Sequence, residues 1–201
     1  MKRFLSTLLY SLFILFFVNI SAFCADNVSS ISNQLSFNNK IFTLKFSSKI
    51  VSGGYMNEYY KTKEKGHGWT ELITVMSHPN SKYTPSDFVK GMMSAQPKVN
   101  GFDNIVVIDK KTNEVTAAFF LVGKENNYDY FEFNVLKVAY KDGNKKGLKT
   151  VQYAKKYKFT DAETCVQQLN KMNKTKMKYF NLVYDMQIPK IINKELKAWK
   201  E

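Results

Sequence analysis

Apolar and polar residues alternate with a period of two along most of the chain, interrupted by one short helical stretch and one long one. Phe42, Leu44 and Phe46 fall on one side of residues 41–46, the pattern of a half-buried strand. Gly53 and Gly54 punctuate before a second strand at 55–61, and the polar turn KTKEKGHG leads into a third at 69–77. There Trp69, Glu71, Ile73 and Val75 share one parity, and Thr70, Leu72, Thr74 and Met76 the other. The period then lengthens. Thr84 suits an N-cap, Pro85 the first helical position and Asp87 an acidic N3, with Phe88, Val89, Met92 and Met93 forming an apolar face until Pro97.

Period two returns at 104–108, 114–122, 128–140 and 148–159, with the turns KKTN, Asn126-Asn127 and DGNKKG between them. These segments lie too close together for parallel crossover helices, so they read as consecutive antiparallel strands. Thr160 and Glu163 have the spacing of a capping box. Beyond them Val166, Leu169, Met172, Met177, Phe180 and Tyr184 lie along one stripe of a long helix, which Pro189 interrupts. The expected fold class is α+β: an antiparallel β-sheet with one inserted helix and a long C-terminal helix packed on it. The expected organisation is a signal peptide at 1–24, a flexible lead-in at 25–40, a single domain at 41–188 and a helical tail at 189–201.

The order of an early meander, a strand ending near HPN, a Thr-Pro-capped helix, four strands and a final helix resembles the Mog1/PsbP/DcrB-like α+β fold. It is also similar to exported bacterial proteins with a motif like Asn57-Glu58-Tyr59, a downstream tryptophan like Trp69 and a Phe-Asn pair like Phe133-Asn134. The resemblance covers roughly residues 41–187 and implies a fold and an exported location. It carries over no active site, because one fold hosts many functions.

The first residues sharpen the location. Lys2 and Arg3 precede a mostly apolar run from Phe4 to Val18, and the small residues Ser21, Ala22, Cys24 and Ala25 follow. That is the three-part layout of a secretory signal, too short for a ~20-residue membrane span. Ala22 and Cys24 satisfy the small-x-small rule for cleavage after Cys24, while Phe23 disfavours lipidation of Cys24. Cleavage there leaves Cys165 as the sole cysteine, so the core must hold the fold without an internal disulfide. Cys165 reads as a small buried hydrophobe in the amphipathic helix. The formal net charge is +13, and Arg3 is the only arginine. A surface basic through lysine alone lacks the planar fork that reads guanine and phosphate, so no specific nucleic-acid partner is expected.

Catalytic vocabulary is sparse. His67 and His78 are the only histidines, eleven positions apart. On one strand they would stand roughly 36 Å apart and point to opposite faces. Zinc needs its nitrogens at about 2.0–2.1 Å, so the two cannot share a metal. Glu58, Glu71 and Glu132 offer carboxylates on predicted strands, more simply read as partners for lysines. No phosphate loop, HExxH, EF-hand or G-x-S-x-G pattern is present. No catalytic residue, metal or cofactor is therefore assigned. Tyrosines on both parities suggest a recognition surface, for which the candidates are Asn57, Tyr59, Trp69, Glu71 and Asn134.

The chain thus reads as a periplasmic or secreted, non-enzymatic binding or accessory domain. Its partner would be an envelope protein, a lipid or a glycan. Two alternatives stand beside this: a small hydrolase-like enzyme using a histidine–carboxylate pair, and a lysine-driven binder of anionic envelope surfaces.

Overall fold

The computed structural model describes residues 33–61, 64, 68–94, 103–125, 128–141 and 145–196. Their strands are β1 (Gln34–Phe37), β2 (Lys40–Lys49), β3 (Tyr55–Lys61), β4 (Glu71–His78), β5 (Ile105–Ile108), β6 (Val115–Glu125), β7 (Tyr128–Tyr140) and β8 (Leu148–Phe159). The helices are α1 (Pro85–Ser94), α2 (Ala162–Asn173) and α3 (Lys176–Tyr184). All strands form one antiparallel sheet in the order β1-β2-β3-β4-β8-β7-β6-β5. Two four-strand meanders thus meet at a β4–β8 seam, with Glu71 opposite Lys155 and His78 opposite Leu148.

Each strand sends alternate residues to opposite faces. The front face carries Phe42, Leu44, Tyr59, Ile73, Val75, Phe120, Phe133, Val135, Val151 and Tyr153, closed by Met172 of α2 and Tyr179, Phe180 and Val183 of α3. On the back, α1 lays Val89 on Val115, Ala117, Phe119, Leu136, Val138 and Leu148. A smaller cluster of Tyr60, Leu72, Ala154 and Trp69 occupies the rest of the back face.

The α+β class and the inserted helix agree with the sequence reading, and the Thr84 cap forms as expected. Its hydroxyl accepts from the Asp87 N–H at 3.1 Å and donates to the Asp87 carboxylate at 2.7 Å. Several boundaries differ. The lead-in contains β1, folded back onto β2 by Asn38 and Asn39 with φ of 48° and 59°. Two successive left-handed residues make the tight turn that suits a twisted hairpin, and asparagine tolerates them. β4 starts at Glu71, leaving Trp69 ahead of the strand.

The long C-terminal helix is two helices. Asp161, rather than Thr160, is the N-cap of α2: its carboxylate accepts from the Thr164 N–H at 2.8 Å, and Thr164 closes the box. At the other end the Thr175 N–H bonds Met172 O at 2.8 Å, ending α2 before α3 begins. The single stripe fails accordingly, since Val166 and Met177 are exposed. Cys165 is half-buried and unpaired. The expected helical tail is not helical over 189–196; this stretch crosses the front face as an extended strap, and Leu196 pairs with Ser47 on the outer edge of β2. Residues 1–32, His67, Pro97 and 197–201 lie outside the described residues. Among the described residues no helix is long and apolar enough to cross a membrane.

Candidate functional site

The five residues singled out from the sequence do not meet. Asn57 pairs with Val75 and Asn134 with Ala154; Val75 in turn pairs with Val151, three positions from Ala154 on β8. An odd offset places the two asparagines on opposite faces. Asn57 is fully buried on the front, where its amide donates to Ser47 Oγ at 2.7 Å and Ile192 O at 3.0 Å. Its carbonyl accepts from the Ile192 N–H at 2.7 Å. Tyr59 is a core residue at 1% exposure. Asn134, also fully buried, donates to Glu132 O at 3.2 Å and accepts from Gln152 at 2.6 Å.

Trp69 and Glu71 do not share a face either. Trp69 packs on the back beside Leu72, with Lys156 Nζ 4.4 Å from its ring centroid. Glu71 is buried and receives Lys40 Nζ at 2.7 Å and, more distantly, Lys61 Nζ at 3.7 Å. Three of the five candidates are therefore sealed structural groups, and Glu71 is the centre of an ion-pair network.

The carboxylates are dispersed as well. Glu58 pairs with Thr74, three positions from Glu71, so these two glutamates project to opposite faces. Burial raises the Glu58 carboxyl above its usual range, opposed by the Tyr60 hydroxyl, which donates to it at 2.6 Å. Burial also pushes Glu132 up to about 7, with Asn134 and the charge of Lys156 pulling the other way.

His78 ends β4 beneath α1. Its ring centroid lies 5.2 Å from that of Phe88, and its Nδ1 is 3.3 Å from Ser52 Oγ. Nε2 is buried without a protein partner, and burial lowers the pKa of the ring. A general base needs its second nitrogen oriented by an acceptor and a substrate within reach. His78 has a serine on one nitrogen and an enclosed, unbonded second nitrogen. Among the described residues no group of three His, Cys, Asp or Glu side chains could hold a metal ion.

A different site emerges where the strap passes the ends of β3, β4, β7 and β8. A cleft of about 650 Å³ opens there, a size suited to a small ligand. Gly53, Gly54 and Tyr55 form one wall, Ser77 and Pro79 line another side, and Ile188, Pro189, Ile191 and Asn193 of the strap face them. Lys141, Lys149 and Lys190 complete the lining, which includes no acidic residue among the described residues; Asp142, next to Lys141, lies outside them.

The local backbone explains the shape. Gly53 has φ of +82°, and a Cβ on Gly54 would lie 1.8 Å from Ser77 O, so only glycine allows the β2–β3 turn to approach β4 this closely. Ser77 Oγ is held by the Tyr55 N–H at 3.1 Å. Two strands fasten the strap, and a third holds the chain that leads into it. Lys137 of β7 donates to Tyr184 O at 2.8 Å and Met186 O at 3.0 Å while pairing with Glu114 at 2.9 Å. Asn57 of β3 grips Ile192, and Ser47 of β2 donates to Lys194 O at 2.6 Å.

Some lysines of the fold are engaged by acids or rings. Lys40 and Lys61 pair with Glu71, Lys137 with Glu114, and Lys155, Lys156 and Lys158 lie over aromatic rings. Lys141, Lys149 and Lys190 have no ion pair among the described residues. Sequence reading missed them because Lys190 comes from a distant segment and the three match no motif; the β7–β8 hairpin that holds Lys141 and Lys149 and the glycine pair before residue 55 were the local signals.

A family model matches the chain over residues 29–183, and the family it describes is uncharacterised. No curated protein and no solved structure matches. The comparisons lend no support to the Mog1/PsbP/DcrB resemblance.

Proposed function

The chain belongs to this uncharacterised family, and we propose that it is an exported, non-enzymatic binding domain whose site is the lysine-lined cleft and whose ligand is an anion. The observation that carries this reading is the lining itself: three lysines and, among the described residues, no acidic one around about 650 Å³. A concave site lined by one sign of charge concentrates ions of the other. Export is supported by Lys2 and Arg3, the apolar run and the small residues that follow. The hydrolase alternative needs a histidine oriented by a carboxylate; the bonded partner of His78 is a serine, and His67 lies outside the described residues.

Amide chemical shifts of the isotopically labelled protein, titrated with inorganic phosphate, pyrophosphate and octanoate, test the site. The expected response is saturable movement of Gly53, Gly54, Tyr55 and Ile191, weakening as salt is raised. Absence of movement there with every anion defeats the reading. N-terminal sequencing of protein recovered from the envelope or medium tests export, with residue 25 expected first.

A further inference from the structure

Resting on that anion-binding reading, we infer that the cleft takes a phosphate ester, with its phosphate at the lysines and a compact apolar body against the strap. Charge selects the head group. A monocarboxylate carries one negative charge and would compensate only one of Lys141, Lys149 and Lys190. A phosphate monoester carries about −1.5 to −2 near neutral pH and offers three acceptor oxygens. Lysine suits such a group, because its ammonium is a point charge with three rotatable donors; the planar fork that matches a carboxylate belongs to arginine.

Volume selects the body. At about 30 Å³ per water, the cleft has room for roughly twenty waters. A bare phosphate displaces only a few of them and leaves Pro79, Ile188, Pro189 and Ile191 wet. An ester with an alkyl or ring substituent covers those side chains, and their dehydration adds to its affinity. The apolar wall is held in place: Ile191 is flanked by Ile192, whose N–H and C=O are both bonded to Asn57.

The phosphate can belong to a soluble ester or to a lipid head group, so the test uses both. Octyl phosphate, octanoate and inorganic phosphate are titrated into the purified protein by calorimetry. Vesicles of phosphatidylcholine with and without phosphatidic acid are compared by sedimentation. Octyl phosphate is expected to bind at least about tenfold more tightly than either octanoate or inorganic phosphate. The K141Q/K149Q/K190Q variant should weaken it about tenfold or more, whereas K110Q/K111Q/K178Q, which removes the same charge elsewhere, should change it less than about twofold. Ile191→Ser should weaken octyl phosphate several-fold more than it weakens inorganic phosphate. Thermal unfolding of each variant verifies that it is folded.

Equal affinity for octanoate and octyl phosphate overturns the phosphate head and leaves the anion-binding reading standing. Equal affinity for inorganic and octyl phosphate overturns the apolar body. Binding indifferent to the cleft lysines overturns both proposals. Sedimentation only with phosphatidic acid assigns the phosphate to a membrane, and binding of octyl phosphate without sedimentation assigns it to a soluble ester.

Discussion

Asn57 shows how much one side chain carries in this fold. It lies in the strand YMNEYYK, where alternation correctly separates Asn57 and Tyr59 from Met56, Glu58 and Tyr60. What alternation cannot supply is the partner, Ile192, which lies 135 residues away. Asn57→Ala would leave the buried N–H and C=O of Ile192 unpaired and free the strap. The expected cost is about 2–4 kcal/mol, or a fall in Tm of roughly 5–15 °C. Differential scanning calorimetry measures it, and an unchanged Tm would contradict the pin.

Glu132 makes a prediction of another kind. Its carboxyl is raised from 4.5 to about 7, so the unfolded chain gives up this proton before the folded one does. Stability from this group is therefore greatest below pH 4.5 and declines as pH rises through 7. Glu132→Gln should be more stable than the parent at pH 8 by about 1–3 kcal/mol, the advantage shrinking at pH 5. His78 works in the opposite direction: its lowered pKa withdraws stability as pH falls through 6.5 and below. The comparison of parent and variant isolates Glu132, and a difference independent of pH would refute the assignment.

At the scale of elements, strands were easier to recognise than breaks. A period of two over 128–140 leaves little choice, and β7 spans those residues. The break between α2 and α3 has no proline or glycine to announce it. It is made by Asn173, Lys174 and Thr175, with the Thr175 hydroxyl within 3.3 Å of Lys171 O and 3.2 Å of Met172 O. The cap was misplaced by one residue because Thr160 and Asp161 are both good caps, and only backbone conformation decides between them. Asp161 has φ −151° and ψ 174° and faces the Thr164 N–H. Asp161→Ala should lower the denaturation midpoint clearly and Thr160→Ala only slightly, as read by chemical denaturation. Equal effects would restore the Thr160 assignment.

For the whole molecule, the decisive join is β4–β8, which links residues such as Val75 and Val151 in the middle of the sheet. The two meanders share the front core, because Ile73, Val75, Phe133 and Tyr153 belong to one cluster, although the back cluster under α1 is built from β6, β7 and β8 alone. The protein should therefore unfold in a single transition, with far-UV and near-UV dichroism coinciding. Separate midpoints would show that the halves are independent. The α+β class was legible because strand spacing constrains topology strongly. The cleft was not, since the β7–β8 hairpin brings Lys141 and Lys149 together locally but only tertiary folding adds Lys190, the glycine turn and the strap.

The strap also sets an order in time. Ribosomes deliver the chain from its first residue to its last, so β1 to β4 exist before β8 has been made to complete the seam. The wall formed by 188–193 comes later still. A chain that stops short of residue 188 lacks one wall of the cleft. The proposed site therefore depends on a late-made segment, and a chain truncated before residue 188 is expected not to bind octyl phosphate however well its strands pair.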